Sequence, residues 1–222
     1  MGRVSYRFDQ AGRFVIEDYN RARPFASFLP GVAGLMGVPL WAFYVNRAQG
    51  IASFGVQDKN GPIVEYFPAN RAYQLVFYTG FRTFVKILRK DGPDYYEPFS
   101  PIGPDTSSQE QMFVSPAELE FASLDSRRRL AVNVLYFTLP NEPFAALVRR
   151  VTLQNVSAQA VELEVLDGLP AIVPYGLNQF FLKEISHTAE AWMGVFNLEN
   201  GVPFYRLRSR MEDRPEVETV EA

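Results

Sequence analysis

Between residues 41 and 49 stand Trp41, Phe43, Tyr44, Asn46, Arg47 and Gln49, directly behind an apolar run. Amide and guanidinium groups present several hydrogen bonds in fixed geometry, which suits sugar hydroxyls or phosphate. Aromatic rings supply flat apolar faces on which a pyranose can stack. Trp41, Tyr44, Asn46, Arg47 and Gln49 are therefore the candidate substrate-binding set. A second arrangement stays open: alternate members of 41–45 fill a core, and Arg47 pairs with a nearby acid. Arg82, in GFRTF, poses the same question and reads as structural.

No catalytic residue is assigned. Glu65, Glu97, Asp167 and Glu184 are the carboxylates that could serve as a general acid. Glu65, in the strand-like IVEYF, is expected to face solvent, and Asp167 before Gly168 is expected to order a turn. His187 stands alone, with no second ligand type spaced to join it, so a structural role is expected and no metal or other cofactor is implied. The chain has no cysteine, which excludes disulfides, thiol catalysis and thiolate metal sites. Gly31, Gly34 and Gly37 are not a dinucleotide fingerprint, because no strand precedes them and no helix with a ribose-binding acid follows.

The elements that must position these residues read as strands. The 222 residues are 14% aromatic, and the net charge is only −3, too weak to point to nucleic acid or an acidic membrane. No apolar run approaches the roughly 18 residues of a membrane span, and the first residues, MGRVSYRFDQ, lack a signal-peptide core. The cytoplasm is the expected location.

In chain order, residues 4–18 read as a hairpin turning at Gln10–Gly12. Residues 19–39 read as irregular, with Pro24, Pro30 and Pro39 preventing a long helix. Residues 40–56 give one or two strands broken near 48–50. Asn60-Gly61 signals a tight turn with positive φ, returning through PIVEYFP. Residues 73–90 read as two strands around Thr79-Gly80, the second alternating at Phe81, Thr83, Val85 and Ile87.

A long loop over 91–116, with Pro93, Pro98, Pro101, Pro104 and Pro116, follows, holding one short strand near Tyr95–Phe99. Strands are expected at 112–124 and 130–139, with Arg127–Arg129 as a solvated turn. Residues 145–168 read as a hairpin turning at Asn155–Gln159, with Val161, Leu163 and Val165 on its core face. Asn155-Val156-Ser157 matches a glycosylation sequon but reads as that turn. Residues 183–192 offer a helical turn or two. A second Asn-Gly hairpin closes the series at Asn200-Gly201, before an acidic tail. Many short strands with frequent turns and almost no helical periodicity give an all-β sandwich.

Three stretches carry a resemblance: PFASFLPGVAGLMGVPLWAFYVNRAQGIASFG, DKNGPIVEYFPANRAYQLVFYTGFRTFVKI and RRVTLQNVSAQAVELEVLDGLPAIVPYG. They resemble the N-terminal region of glycoside hydrolase family 94, nearest to 1,2-β-oligoglucan phosphorylases and related to cellobiose phosphorylases. The resemblance spans about Tyr19 to Val217, with 24–82 its most specific part. It implies a β-supersandwich of the galactose-mutarotase-like type, residues 1–222 forming a single N-terminal domain of a longer chain. The family reaction is inverting phosphorolysis of a β-glucoside to α-glucose 1-phosphate. Its general acid and phosphate-binding residues lie in an (α/α)₆ barrel, no part of which is in this chain.

The resemblance thus implies a non-catalytic domain that supports fold and homodimer and lends a wall to the active site. The missing helical barrel is its partner, and β-glucan and phosphate are ligands of the parent enzyme. Mutarotase chemistry on this fold uses two histidines and a glutamate, which the lone His187 does not match. A stand-alone carbohydrate-binding module and a purely structural interaction domain are the alternatives. Exposed aromatics in a row on one sheet would favour the module.

Overall fold

The computed structural model describes residues 4–29, 32–33, 37–101, 107–184 and 193–207. Pro30, Gly31, Gly34, His187 and the acidic tail, on which several of the expectations above rest, lie outside the described residues.

The first hairpin forms as expected. β1 (Ser5–Phe8) and β2 (Phe14–Glu17) pair antiparallel, with Phe8 opposite Phe14. Asp9 orders the turn between them, its Oδ1 accepting from the amides of Ala11 and Arg13, both at 2.9 Å. A 3₁₀ turn at Tyr19–Arg21 leads to β3 (Ala26–Leu29) and the two-residue β4 (Val32–Ala33). The stretch expected to be irregular therefore carries a strand, because proline spacing excludes helix without excluding extended chain.

Next come β5 (Val38–Val45), β6 (Ile51–Val56) and β7 (Pro62–Val64). Along β5, Ala42 and Tyr44 enter one core while Phe43 and Val45 enter another. Burial on both faces explains the continuous apolar run.

The turn before β7 differs from the expectation. Neither Asn60 nor Gly61 adopts positive φ; Gln57 does, at 71°. The loop closes instead through Gly61 N–H to the carbonyl of Asp58 at 3.1 Å and Asn60 N–H to Asp58 Oδ1 at 2.6 Å. Gly61 is needed for close approach, since a Cβ there would stand 2.4 Å from the carbonyl oxygen of Val56. At the later Asn-Gly pair a hairpin does form, between 193–196 and 204–207, but through a longer loop: Asn200 ends a 3₁₀ turn and Gly201 takes positive φ, at 66°.

The larger correction is α1 (Ala69–Thr79), a helix where the aromatic-rich YQLVFYT was expected to be a strand. Pro68 sits at its N-terminus, and Ala72 and Val76, four residues apart, are buried against β5 and β6 with Tyr73 and Phe77 beside them. Tertiary packing overrides the strand preference of aromatics here.

The remainder runs β8 (Arg82–Leu88), β9 (Asp94–Tyr96), β10 (Ser108–Val114), β11 (Glu118–Asp125), β12 (Leu130–Thr138), β13 (Leu147–Asn155), β14 (Glu162–Gly168), α2 (Gln179–Glu184), β15 (Met193–Phe196) and β16 (Phe204–Leu207). The strand expected at 112–124 is thus two, β10 and β11, paired with Val114 opposite Leu119. Helical structure begins at 179 rather than 183.

All described strand pairs are antiparallel. A six-stranded sheet has the order β1-β2-β10-β11-β12-β13. A second sheet runs β3-β5-β6-β7, with β4 paired to β5, and a three-stranded sheet runs β14-β8-β9. β15 and β16 pair with each other. Ile16, Met112, Phe121 and Val134 of the six-stranded sheet meet Ala42, Ile51, Val85 and Ile87 of the other two in one core. The result is an all-β sandwich, as expected, with α1 covering the far side of β5 and β6.

Two further expectations change. β13 and β14 do not form a hairpin: β13 pairs with β12, and β14 pairs with β8 across the sandwich. The Asn155–Gln159 segment is an arch between sheets, held by Asn155 Nδ2 donating to the Gln159 carbonyl at 2.6 Å. The basic triplet does lie in a turn, but Arg128 is enclosed there, paired with Asp94 at 3.0 Å and with Asp125 at 2.7 Å. Among the described residues, no helix is long and apolar enough to cross a membrane.

Candidate functional site

The structure places the sequence-selected residues in two very different settings. Asn46 ends β5 fully buried. Its Oδ1 accepts from the Phe25 amide at 2.9 Å, and its Nδ2 donates to the carbonyls of Arg23 at 2.9 Å and Tyr19 at 3.4 Å. Arg47 follows the same logic: Nη1 donates to the carbonyls of Tyr19 and Asn46, and Nη2 to that of Ala22. Its guanidinium lies 4.3 Å from the centre of the Tyr73 ring, and burial pulls its pKa below the usual arginine range. These contacts satisfy the orphan carbonyls of the 19–23 turn, a backbone task that any buried irregular segment imposes. Tyr44 is buried in the main core, and burial raises its phenol pKa.

Gln49 joins a buried cluster that ties the three main sheets together. Its Nε2 donates to Thr83 Oγ1 at 3.0 Å, and its Oε1 accepts from Arg149 Nη2. Arg149 also donates to Tyr136 Oη at 3.2 Å, to Thr83 Oγ1 at 3.0 Å, and through both terminal nitrogens to Asp167. Thr83 in turn donates to Asp167 Oδ1 at 2.6 Å. Tyr136 and Arg149 come from the six-stranded sheet, Thr83 and Asp167 from the three-stranded one, and Gln49 from the loop after β5. Burial pushes the Tyr136 phenol well above its ordinary range, so it stays protonated. The expected turn role of Asp167 gives way to this ion pair.

The other carboxylates are placed separately. Glu97 forms a two-pronged pair with Arg82, at 2.7 and 2.9 Å. Glu65 is half-buried beyond the end of β7, and Glu184 is exposed at the end of α2. No group of three His, Asp or Glu residues among the described residues could hold a metal ion.

Of the candidate set Trp41 is the exposed member, at 43%, while Arg47 is half-buried. Its indole N–H donates to the Gln57 carbonyl at 2.8 Å, and its ring meets Phe28 edge-on, centroids 5.7 Å apart.

A second surface was not selected from the sequence. The outer face of β14-β8-β9 forms a groove of about 480 Å³ lined by Phe84, Lys86, Tyr95, Glu97, Glu164 and Leu166. Alternation puts them there. Thr83, Val85 and Ile87 point into the core, so Arg82, Phe84 and Lys86 point out. Register then sets Leu166 opposite Phe84, and both Glu164 and Tyr95 opposite Lys86. Tyr95 is 70% exposed and Leu166 71%. Lys86 Nζ pairs with Glu164 at 2.9 Å, and the Arg82 guanidinium lies 4.5 Å from the Phe84 ring centre. The signal was present as an aromatic, Phe84, on the polar phase of an alternating strand.

Compared with models of protein families and with curated proteins, the chain finds no match.

Proposed function

We propose that this chain is a non-catalytic β-sandwich domain of an enzyme that phosphorolyses β-linked glucans with inversion, releasing α-glucose 1-phosphate. It supports fold and homodimer, and it docks against a helical-barrel domain that carries the chemistry. The phosphorylase assignment rests on the resemblance of 24–82 described above. The docking role rests on one structural observation: several apolar side chains between 172 and 204 are exposed. Tyr175 is 97% exposed, and Ile172, Phe180, Phe181, Val202 and Phe204 are all exposed as well. The hairpin β15–β16 pairs with no other described strand, and a two-stranded hairpin is marginal in water without a surface to pack on. Exposed apolar side chains that gather into a patch mark an interface.

The carboxylates fit a non-catalytic role. Asp167 and Glu97 are committed to arginines.

The test is phosphate release from glucose 1-phosphate with β-1,2-linked glucose acceptors. It is run on this chain by itself and on the chain together with the helical barrel of its parent. Turnover only in the combined sample supports the proposal. Turnover by the chain alone overturns the non-catalytic role, and silence in both overturns the phosphorylase assignment.

A further inference from the structure

We infer that the groove on the outer face of β14-β8-β9 is a binding site for a neutral oligosaccharide, a short β-linked glucan. The inference rests on the carbohydrate class proposed above, and it holds whether the chain works by itself or beside a barrel.

The charge state of the groove selects the ligand class. Its ionic groups are already matched, Lys86 with Glu164 and Glu97 with Arg82. An anion such as phosphate would have to pull Lys86 or Arg82 away from its carboxylate. A cation would face the converse. A neutral ligand leaves both pairs intact.

The floor selects the shape. Phe84 and Tyr95 stand on adjacent strands. Tyr95 faces Lys86 rather than Phe84, so the two residues are diagonal neighbours, their backbones about 7 Å apart. Two stacking platforms offset in this way suit a chain of rings rather than one. Leu166 extends the apolar floor opposite Phe84. A pyranose presents an apolar C–H face to such rings and a rim of hydroxyls to the carboxylates and the ammonium group.

A protein surface fits less well. It would strip water from both ion pairs, a desolvation penalty that sugar hydroxyls avoid by hydrogen bonding to the same groups. The volume, about 480 Å³, falls in the range of sites for small ligands.

The experiment is calorimetric titration of the full chain with β-1,2-, β-1,3- and β-1,4-linked glucose tetrasaccharides, with inorganic phosphate as the contrasting probe. At least one tetrasaccharide should bind, and phosphate should not compete with it. Tyr95→Ala and Phe84→Ala should each weaken binding about tenfold, the size expected for truncating a central aromatic. Phe8→Ala removes a ring as exposed as Tyr95 from β1 in another sheet and should leave binding unchanged. Unaltered circular dichroism melts establish that the variants fold.

Absence of binding to all three sugars overturns the inference. So does binding that survives Tyr95→Ala and Phe84→Ala, or that phosphate displaces. Hydrogen exchange on the barrel-containing protein provides a further check, since sugar-independent protection of β8 and β14 would mean that protein covers the groove. Groove binding without phosphorolysis would sink only the proposed function, and phosphorolysis without groove binding would sink only this inference.

Discussion

The inner cluster at Asn46–Gln49 and the outer groove at Phe84–Tyr95 draw on the same residue types, yet the fold uses them in opposite ways. Both combine aromatics, an arginine and hydrogen-bonding side chains. Inside, every such group meets backbone or another buried side chain, and the reward is the joining of three sheets. Outside, the ionic groups pair at the surface, the Arg82 guanidinium rests on Phe84, and Tyr95 is left exposed. A polar side chain enlisted to satisfy buried backbone is turned away from any ligand at the surface. An exposed ring beside a satisfied ion pair still offers an apolar face.

The sharpest way to break this comparison is Arg149→Met. The side chain is only 8% exposed and bridges Asp167, Thr83, Gln49 and Tyr136 across the sandwich. Its loss leaves a partly enclosed carboxylate and the Gln49 carbonyl oxygen without their partner. Removing one member of a buried pair costs about 3–5 kcal/mol, and the partial exposure of Asp167, at 32%, places the expectation near the lower end. Urea unfolding measures it. A loss below about 1 kcal/mol would mean that the cluster does not hold the sheets together.

Asn46→Ala comes next. It strands the Phe25 amide and the Arg23 carbonyl beside a fully buried position, while the Tyr19 carbonyl keeps its bond from Arg47. An unsatisfied buried group costs about 1–3 kcal/mol, so a loss of about 2 kcal/mol is expected from the same unfolding curves. An unchanged midpoint together with weaker sugar binding would return Asn46 to the ligand-binding role that its residue type first suggested.

The contrast also shows what a single sequence can disclose. Strand phase was legible in β8, where Thr83, Val85 and Ile87 are all buried, but the equally clean alternation at 161–165 misled: Val161 and Val165, expected on the core face, are exposed. The sandwich class was legible from turn frequency. Partner choice was not. β13 and β14 look like a hairpin because both are apolar-alternating and separated by a short turn, but nothing local says that the chain crosses to the other sheet there. α1 was hidden because Tyr73, Phe77 and Tyr78 favour strands by type, while the spacing of Ala72 and Val76 is only one helical repeat long. The polar cluster after β5 was legible as a cluster; whether it faced in or out depended on the irregular turn at 19–23, which periodicity does not describe.

Glu110 sharpens the inner half of the comparison through pH. Its Oε2 accepts from Asn20 Nδ2 at 2.6 Å, and Asn20 Oδ1 accepts from the Ala48 amide, so the carboxyl belongs to the same buried network. Burial raises its pKa above the ordinary 4.5, with the Asn20 hydrogen bond pulling the other way. A raised folded pKa means that its contribution to stability is fully present below the unfolded value and is lost as pH climbs through the folded value. Glu110→Gln keeps an acceptor for Asn20 and removes the titration. The variant should therefore gain on the wild type between pH 4 and pH 7 in urea midpoints, by less than either loss above. A gain in the opposite direction would show that the carboxylate, not the acid, is the form the network holds.

The smallest expected effect belongs to the outer groove, and its smallness is the point. Tyr95 is 70% exposed on an edge strand, and truncating a surface side chain away from any core ordinarily changes stability by no more than about 0.5 kcal/mol. Tyr95→Ala should therefore melt like the wild type. Its neighbour on the same strand, Tyr96, is buried in the main core, where the Arg128 guanidinium lies 4.7 Å from its ring centre. Tyr96→Ala should cost about 3 kcal/mol or more, as large aromatics in a core do. Two adjacent tyrosines would then differ by several kcal/mol in stability, and in the opposite sense in sugar affinity. If Tyr95→Ala also destabilises by several kcal/mol, the outer face is part of the core of a larger assembly, and the groove exists only in the chain by itself.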